Sequence, residues 1–334
     1  MGRAALFLAA ALALGVRTGA EEAEFELRFG TLAPDNTPWS NILKDFKKRV
    51  QKDSKQRVKV KLFLGGSLGD ERAMLEKMQY GQLTGGGFST GGISTRVPEL
   101  QILEIPFLFR DAREADYILD TVLLEYMTRR FADEGLFLYV WAENGWLDFG
   151  AKTKPLLRAG DCKGLKFFAQ ESDVQIAFYK AIGAPATTLP VTEVLNSLQT
   201  GMIEAYSSTP IYAAGAQWFT QTRFWLDSDH MYQPAAVVFQ MEFWNKLPED
   251  LKKIMLSYRD SLREQARKDV RGIDAELFKG FQEEGIKVEK LGAAEKQEFQ
   301  ELTSGVAEAL LQKKVFSRDL WEKVTRALEE FRKR

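Results

Sequence analysis

The sequence predicts an α/β protein built twice over and finished by helices. Three observations carry this. Segments near Phe25 and Val58 alternate apolar and polar residues with period 2, a third strand-like segment starts at Leu83, and stretches of helical spacing separate them. The same logic recurs after Leu136, and a charged helical pattern takes over from Pro248. With 334 residues, of which 45% are hydrophobic, the chain can bury a sizeable core and suits two domains.

Taken in order, Phe25, Leu27, Phe29 and Thr31 alternate with Glu26, Arg28 and Gly30, which predicts a strand. Pro34 to Pro38 is a turn, and Trp39 to Val50 has helical spacing. Val58, Val60, Leu62 and Leu64 form a second strand. Gly69-Asp70 leads into a helix carrying Met74, Leu75 and Met78 that ends near Gly81. Leu83 to Ser89 is a third strand, softened by Gly85-Gly86-Gly87, so the first segment predicts a mostly parallel sheet. In the second segment, Leu136 to Trp141 and Gly164 to Gln170 are strands, and Asp173 caps a helix ending at Gly183. Thr192 caps another helix before Gly201, and Ala235 to Gln240 is a late strand. Pro248 opens a helical run, with Glu249 and Asp250 suited to its dipole, and Glu295 to Leu311 and Ser317 to Phe331 are amphipathic helices.

Met1 to Ala20 stands apart from this fold. Arg3, an apolar stretch from Ala4 to Val16 and the small residues Thr18-Gly19-Ala20 predict a secretory signal peptide cut after Ala20. The apolar stretch falls short of the roughly 20 residues that span a bilayer, which argues against an uncleaved anchor. The expected location is the periplasm.

Composition excludes several functions. Lys+Arg 46 against Asp+Glu 47 leaves a net charge of −1, so no basic field invites nucleic acid. Cys162 and His230 are the only cysteine and histidine, which rules out internal disulfides and argues against Cys/His zinc sites and a Cys-His catalytic pair. A Ser-His-Asp triad would need His230 itself, which reads better as a structural hydrogen-bonding residue. The Gly85 to Gly87 run lacks the GK[ST] of a phosphate loop and predicts a tight turn or close backbone approach. No acidic cluster has EF-hand spacing. The expectation is no catalysis, no metal and no cofactor. Aromatic residues, Trp39, Phe88, Trp141, Trp146, Phe168, Tyr206, Tyr212 and Trp218 among them, crowd strand ends, where open α/β sheets bind ligands and where core packing also places them.

Several segments resemble the solute-binding proteins of tripartite ATP-independent periplasmic (TRAP) transporters, the DctP family. They are Leu68-Gly69-Asp70-Glu71-Arg72-Ala73-Met74-Leu75, Val97-Pro98-Glu99-Leu100 and Ile105-Pro106-Phe107-Leu108-Phe109-Arg110-Asp111. Gly164-Leu165-Lys166, Gly183-Ala184-Pro185, Thr192-Glu193-Val194, Leu198-Gln199-Thr200-Gly201 and Phe243-Trp244-Asn245-Lys246-Leu247-Pro248 follow in the family's order. The resemblance implies a two-lobed periplasmic binding protein fold with a hinge and long C-terminal helices. It also implies a small-molecule ligand trapped between the lobes and delivery to TRAP membrane permease subunits. On this basis residues 1–20 are the signal peptide, 21–145 with 235–270 lobe 1, 146–234 lobe 2, and 271–334 helices packed on the lobes.

The departures from the family are informative. Phe168 stands where the resemblance implies an arginine that grips a carboxylate, Ser208 where it implies an asparagine, and Asp148 where some members carry a second arginine. A carboxylate closed into a cleft without its cation loses several kcal/mol of solvation, whereas burying roughly 200 Å² of apolar ligand gains about 5 kcal/mol. The expectation is an apolar or neutral, lipid-like ligand. The expected cleft residues are Trp39, Asp70, Phe88, Ser89, Trp146, Asp148, Phe168, Val191, Ser208 and Tyr212. Phe168 would floor the pocket, Phe88 and Trp146 would wall it, and Ser89 and Ser208 would be its polar anchors. A TRAP subgroup that works with a tetratricopeptide-repeat protein also lacks this arginine, which makes such a protein a candidate partner. The alternatives are an organic-anion binder using a relocated Arg72, Arg96 or Arg223, a periplasmic enzyme, and a ligand-free adaptor.

Overall fold

The computed structural model describes residues 23–334; the leader expected over residues 1–20 lies outside the described residues. The first strands follow the alternation closely, as β1 (Phe25–Thr31), β2 (Val58–Phe63) and β3 (Gly85–Ser89). The helix Pro38–Asp53 starts at Thr37, whose side chain accepts from Ser40 N while the Ser40 hydroxyl accepts from Thr37 N. The helix Glu71–Gln79 starts at Asp70, which accepts from Ala73 N. The three glycines do not turn the chain: they lie within β3. A Cβ on Gly85 would stand 2.8 Å from the Phe239 ring, and one on Gly86 2.4 Å from the Phe88 ring.

Two strands are much longer than the sequence suggests. β4 covers Leu136–Ala151, and β8 covers Phe224–Gln240. At about 3.3 Å per residue each reaches about 50 Å, enough to serve both halves of the molecule. The remaining strands are β5 (Phe167–Ala169), β6 (Ala186–Thr188), β7 (Ala205–Ser208) and β9 (Lys287–Lys290). The sheet order is β2-β1-β3-β8-β4-β7-β5-β6, with β9 also on β8. Pairing is parallel towards both ends, but β3–β8, β8–β4 and β4–β7 are antiparallel, so the sheet is mixed rather than mostly parallel.

The β4–β8 ladder slips where the two halves meet. Glu143 faces Pro234 and Gly145 faces Gln233, with a register shift between them, and Gly145 has φ +113°. The helix Arg259–Arg271 clamps this point. Its Arg271 contacts Asp116 Oδ1 and Glu143 Oε2, each at 2.7 Å, and Tyr232 donates to the same Glu143 oxygen at 3.0 Å. Glu143 is buried, so its guanidinium partner offsets a desolvation that would otherwise be large.

Apolar clusters cover both faces of the sheet. In the first half, Leu27, Phe29, Val58, Val60 and Phe239 pack against Phe46 and Val50 of the first helix. In the second half, Phe149, Phe167, Phe178 and Tyr179 form one core and Phe168, Tyr206, Trp218 and Trp225 another. Phe167 and Phe168 thus face opposite sides of β5, as strand parity requires. At the C-terminus the expected helix Glu295–Leu311 is broken into Ala293–Thr303 and Val306–Gln312, and Ser317 caps Arg318–Phe331.

Candidate functional site

The carboxyl ends of β1, β3, β5 and β7, the middles of β4 and β8, and the first helix enclose one cavity. Seven of the ten expected residues line it: Trp39, Phe88, Ser89, Phe168, Val191, Ser208 and Tyr212. Four aromatic rings form a continuous wall. Trp39 meets Tyr212 at 6.4 Å between centroids, Tyr212 meets Trp218 edge-on at 5.3 Å, and Trp218 meets Phe168 edge-on at 5.8 Å. Trp39 is pinned by its indole N–H, which donates to Glu143 O at 2.7 Å. Among the described residues, no lysine or arginine lines this cavity.

Three expected residues lie elsewhere, each for a local reason. Asp70 spends its carboxylate capping its helix and sits outside, at the mouth between the halves. Trp146 follows the Gly145 kink, packs at 5.2 Å on Tyr232 and lines a separate small cleft beside Glu143 and Arg271. Asp148 is fully buried and accepts from Trp225 Nε1 at 3.1 Å, Ser228 N at 2.8 Å and Asp229 N at 3.0 Å. Burial, followed by the charge of Asp229, raises its pKa well above the carboxylate range. It is a structural acceptor and not a cleft charge. Asp148, Asp227 and Asp229 bring carboxylate oxygens within 4.8 Å of one another, but nothing beyond the acids themselves marks an ion site.

The two expected anchors are turned to protein partners. Ser208 Oγ donates to Thr209 O at 3.2 Å. Ser89 donates from Oγ to Glu71 Oε2 at 2.7 Å and from its backbone N–H to Glu71 Oε1 at 2.5 Å. Glu71 was not expected here, because in the sequence it reads as a first-turn acid. It is buried in the cavity wall, and burial pushes its pKa up to about 7 against the stabilising Ser89 bonds. Gln170, Gln175 and Gln233 also line the cavity, and Gln233 Nε2 donates to Glu104 Oε1 at 3.0 Å. Ser207 lines it too, and its hydroxyl lies 3.0 Å from His230 Nε2.

The relocated cations fare unequally. Arg96 pairs with Glu134 at 3.0 Å, and Arg223 is exposed at the edge of β8; neither lines the cavity. Arg72 lines the mouth, which shares Glu71, Gln170 and Val191 with the cavity, and contacts Glu171 at 3.0 Å from across the gap.

This architecture has relatives. The DctP family profile, described as bacterial extracellular solute-binding protein family 7, matches residues 29–314. The chain belongs to the DctP family of TRAP solute-binding proteins. A solute-binding protein of Verminephrobacter eiseniae is 31% identical over 259 residues, covering 77% of this chain and 76% of that protein. A TRAP solute-binding protein of Sulfurospirillum deleyianum with bound succinate superposes with a TM-score of 0.85 at 24% identity, covering 91% of this chain and 99% of the other. The sugar-acid-binding DctPAm of Advenella mimigardefordensis, in complex with galactonate, gives 0.87 at 23% identity, covering 91% and 98%. This DctP-family chain is therefore a binding protein and not an enzyme, with the two-lobed α/β fold of that family. No helix among its described residues is long and apolar enough to cross a membrane. The two solved relatives hold organic acids, succinate in one and galactonate in the other.

Proposed function

We propose that this chain captures a small organic acid between its lobes and delivers it to a TRAP-type importer. The ligand's uncharged body fills the aromatic cavity, and its acid group stays at the mouth beside Arg72. The observation that carries this reading is the division of charge: the cavity wall holds no basic side chain, and the adjoining mouth holds Arg72. A carboxylate deep in the cavity would lose several kcal/mol of solvation unpaired. At the mouth it displaces Glu171 from Arg72, an exposed ion pair that contributes little.

Calorimetry with octanoate, octanol and succinate, on the native chain and on Arg72→Ala, tests this. Octanoate should bind most tightly, succinate weakly, and the substitution should weaken octanoate by about two- to fivefold. Succinate binding more tightly than octanoate would defeat the proposal. A second reading, an uncharged ligand throughout, is favoured by the cation-free wall. It predicts octanol binding as well as octanoate, with no effect of Arg72→Ala.

The lobes of this reading are residues 21–145 with 235–270 and residues 146–234, a boundary supported by the kink at Gly145 and the slip opposite Gln233 and Pro234. Residues 1–20 form a leader removed after Ala20, which an intact mass beginning at Glu21 would establish. The subgroup resemblance adds a tetratricopeptide-repeat partner, testable by co-purification.

A further inference from the structure

Ser207 stands at the end of a buried hydrogen-bond chain that the ligand reading does not use. Tyr179 donates its phenolic hydrogen to Ser207 Oγ at 2.9 Å, and His230 Nε2 lies 3.0 Å from the same oxygen. On the far side of the ring, His230 Nδ1 lies 2.8 Å from Ser228 Oγ. The imidazole is sandwiched between Phe149 at 4.2 Å and Phe178 at 5.0 Å, and burial lowers its pKa to about 3. It is therefore neutral and carries one proton, on one nitrogen or the other.

Counting hydrogens decides which. Ser228 is buried, and among the described residues its hydroxyl meets only His230 Nδ1. Were Nδ1 protonated, Ser228 would have to accept, and its own buried hydrogen would have no partner, a costly arrangement. With Nδ1 bare, Ser228 donates to it and Nε2–H donates to Ser207. Ser207 Oγ then accepts twice, from His230 and from Tyr179, and its own hydrogen is left over. Ser207 lines the ligand cavity and is only half-buried. Two accepted bonds polarise that hydroxyl and make it a stronger donor.

We infer that Ser207 presents a fixed hydrogen-bond donor to the cavity, set by His230 as a positioning residue, and that the ligand's buried body carries an oxygen acceptor. Resting on the acid reading above, this narrows the ligand to an oxo or hydroxy acid with an otherwise apolar body. Neither residue is marked by sequence motif: Ser207 is 23 positions from His230 and 28 from Tyr179.

Two measurements test it. His230 is the only histidine, so ¹⁵N-histidine labelling of the full chain gives a single imidazole whose tautomer is read directly by NMR. A proton on Nε2 is expected; a proton on Nδ1 overturns the inference. The second compares octanoate with its positional oxo-octanoates, and in parallel the octanones with 1-octene, on the native chain, Ser207→Ala and Ser207→Thr. One oxo isomer should bind the native chain about two- to tenfold more tightly than its carbonyl-free counterpart, the span of a neutral hydrogen bond. That preference should vanish in Ser207→Ala and persist in Ser207→Thr. A preference absent from the native chain, or surviving in Ser207→Ala, overturns the inference, as does a native chain that binds neither series. If the octanones show the Ser207-dependent preference and no acid binds, the acid reading falls and the Ser207 assignment stands.

Discussion

Replacing Phe168 by arginine would put a guanidinium into a wall built of aromatic rings. The Phe168 side chain is 2% exposed and packs edge-on against Trp218 at 5.8 Å. Phe168→Arg loses about 1.5–3 kcal/mol of aromatic burial and introduces a charge into a wall whose polar groups are amides, hydroxyls and Glu71, whose pKa burial raises to about 7. The expected loss of stability is about 3–5 kcal/mol, the usual consequence of an unpaired buried charge. A dianion that reaches the new cation should recover part of this: saturation at a hundred times Kd returns about 2.7 kcal/mol. Thermal melts with and without succinate make the comparison. Succinate should leave the native chain's Tm unchanged and raise that of the variant by several degrees. Equal shifts in both would refute the claim that the native cavity lacks a site for a buried carboxylate.

Glu71 gives a pH-dependent prediction. Its pKa rises from 4.5 to about 7 on folding, so between those values the folded chain retains a proton that the unfolded chain has released. The stabilising effect of the protonated form is present below pH 4.5 and lost as pH rises to 7, a change of roughly 3 kcal/mol. Urea melts should show the native chain losing that much stability over this window relative to Glu71→Gln, which has nothing to ionise. Asp148→Ala should cost about 3–5 kcal/mol, because it strands the indole N–H of Trp225 and two backbone N–H groups. Asp148→Asn, keeping an acceptor oxygen, should cost less and leave octanoate affinity unchanged in calorimetry.

The legible and illegible parts of the molecule separate along physical lines. β1 and β2 bury one face, so their alternation is visible, and the caps at Thr37 and Asp70 announce their helices. β4 and β8 are not, since their middles carry Glu143, Asn144, Gly145, Asp227, Asp229 and His230 and read as loops. Those polar groups are tolerated because distant partners meet several of them: Arg271 for Glu143, Gln233 for Asn144, Ser207 and Ser228 for His230. Phe168 could be found by its place in a motif. Trp146 is expected in the cavity from its place near matched motifs and Asp148 from the place of a family arginine, and neither basis registers the ladder shifts between Glu143 and Gly145 and between Leu147 and Phe149. Ser89 was placed in the cavity, but its partner Glu71 was missed, since the contact that turns a helix-start acid into a buried wall residue spans 18 positions.

The most direct trial of the account is the identity of what the chain carries when purified without denaturant. Native mass spectrometry followed by extraction should recover an organic acid with one acid group, a mainly apolar body and an oxygen within it. Recovery of a small dicarboxylate at full occupancy would contradict the account, since it would place a charge in a cavity walled by Phe168, Trp218 and Tyr212 with no cation to meet it.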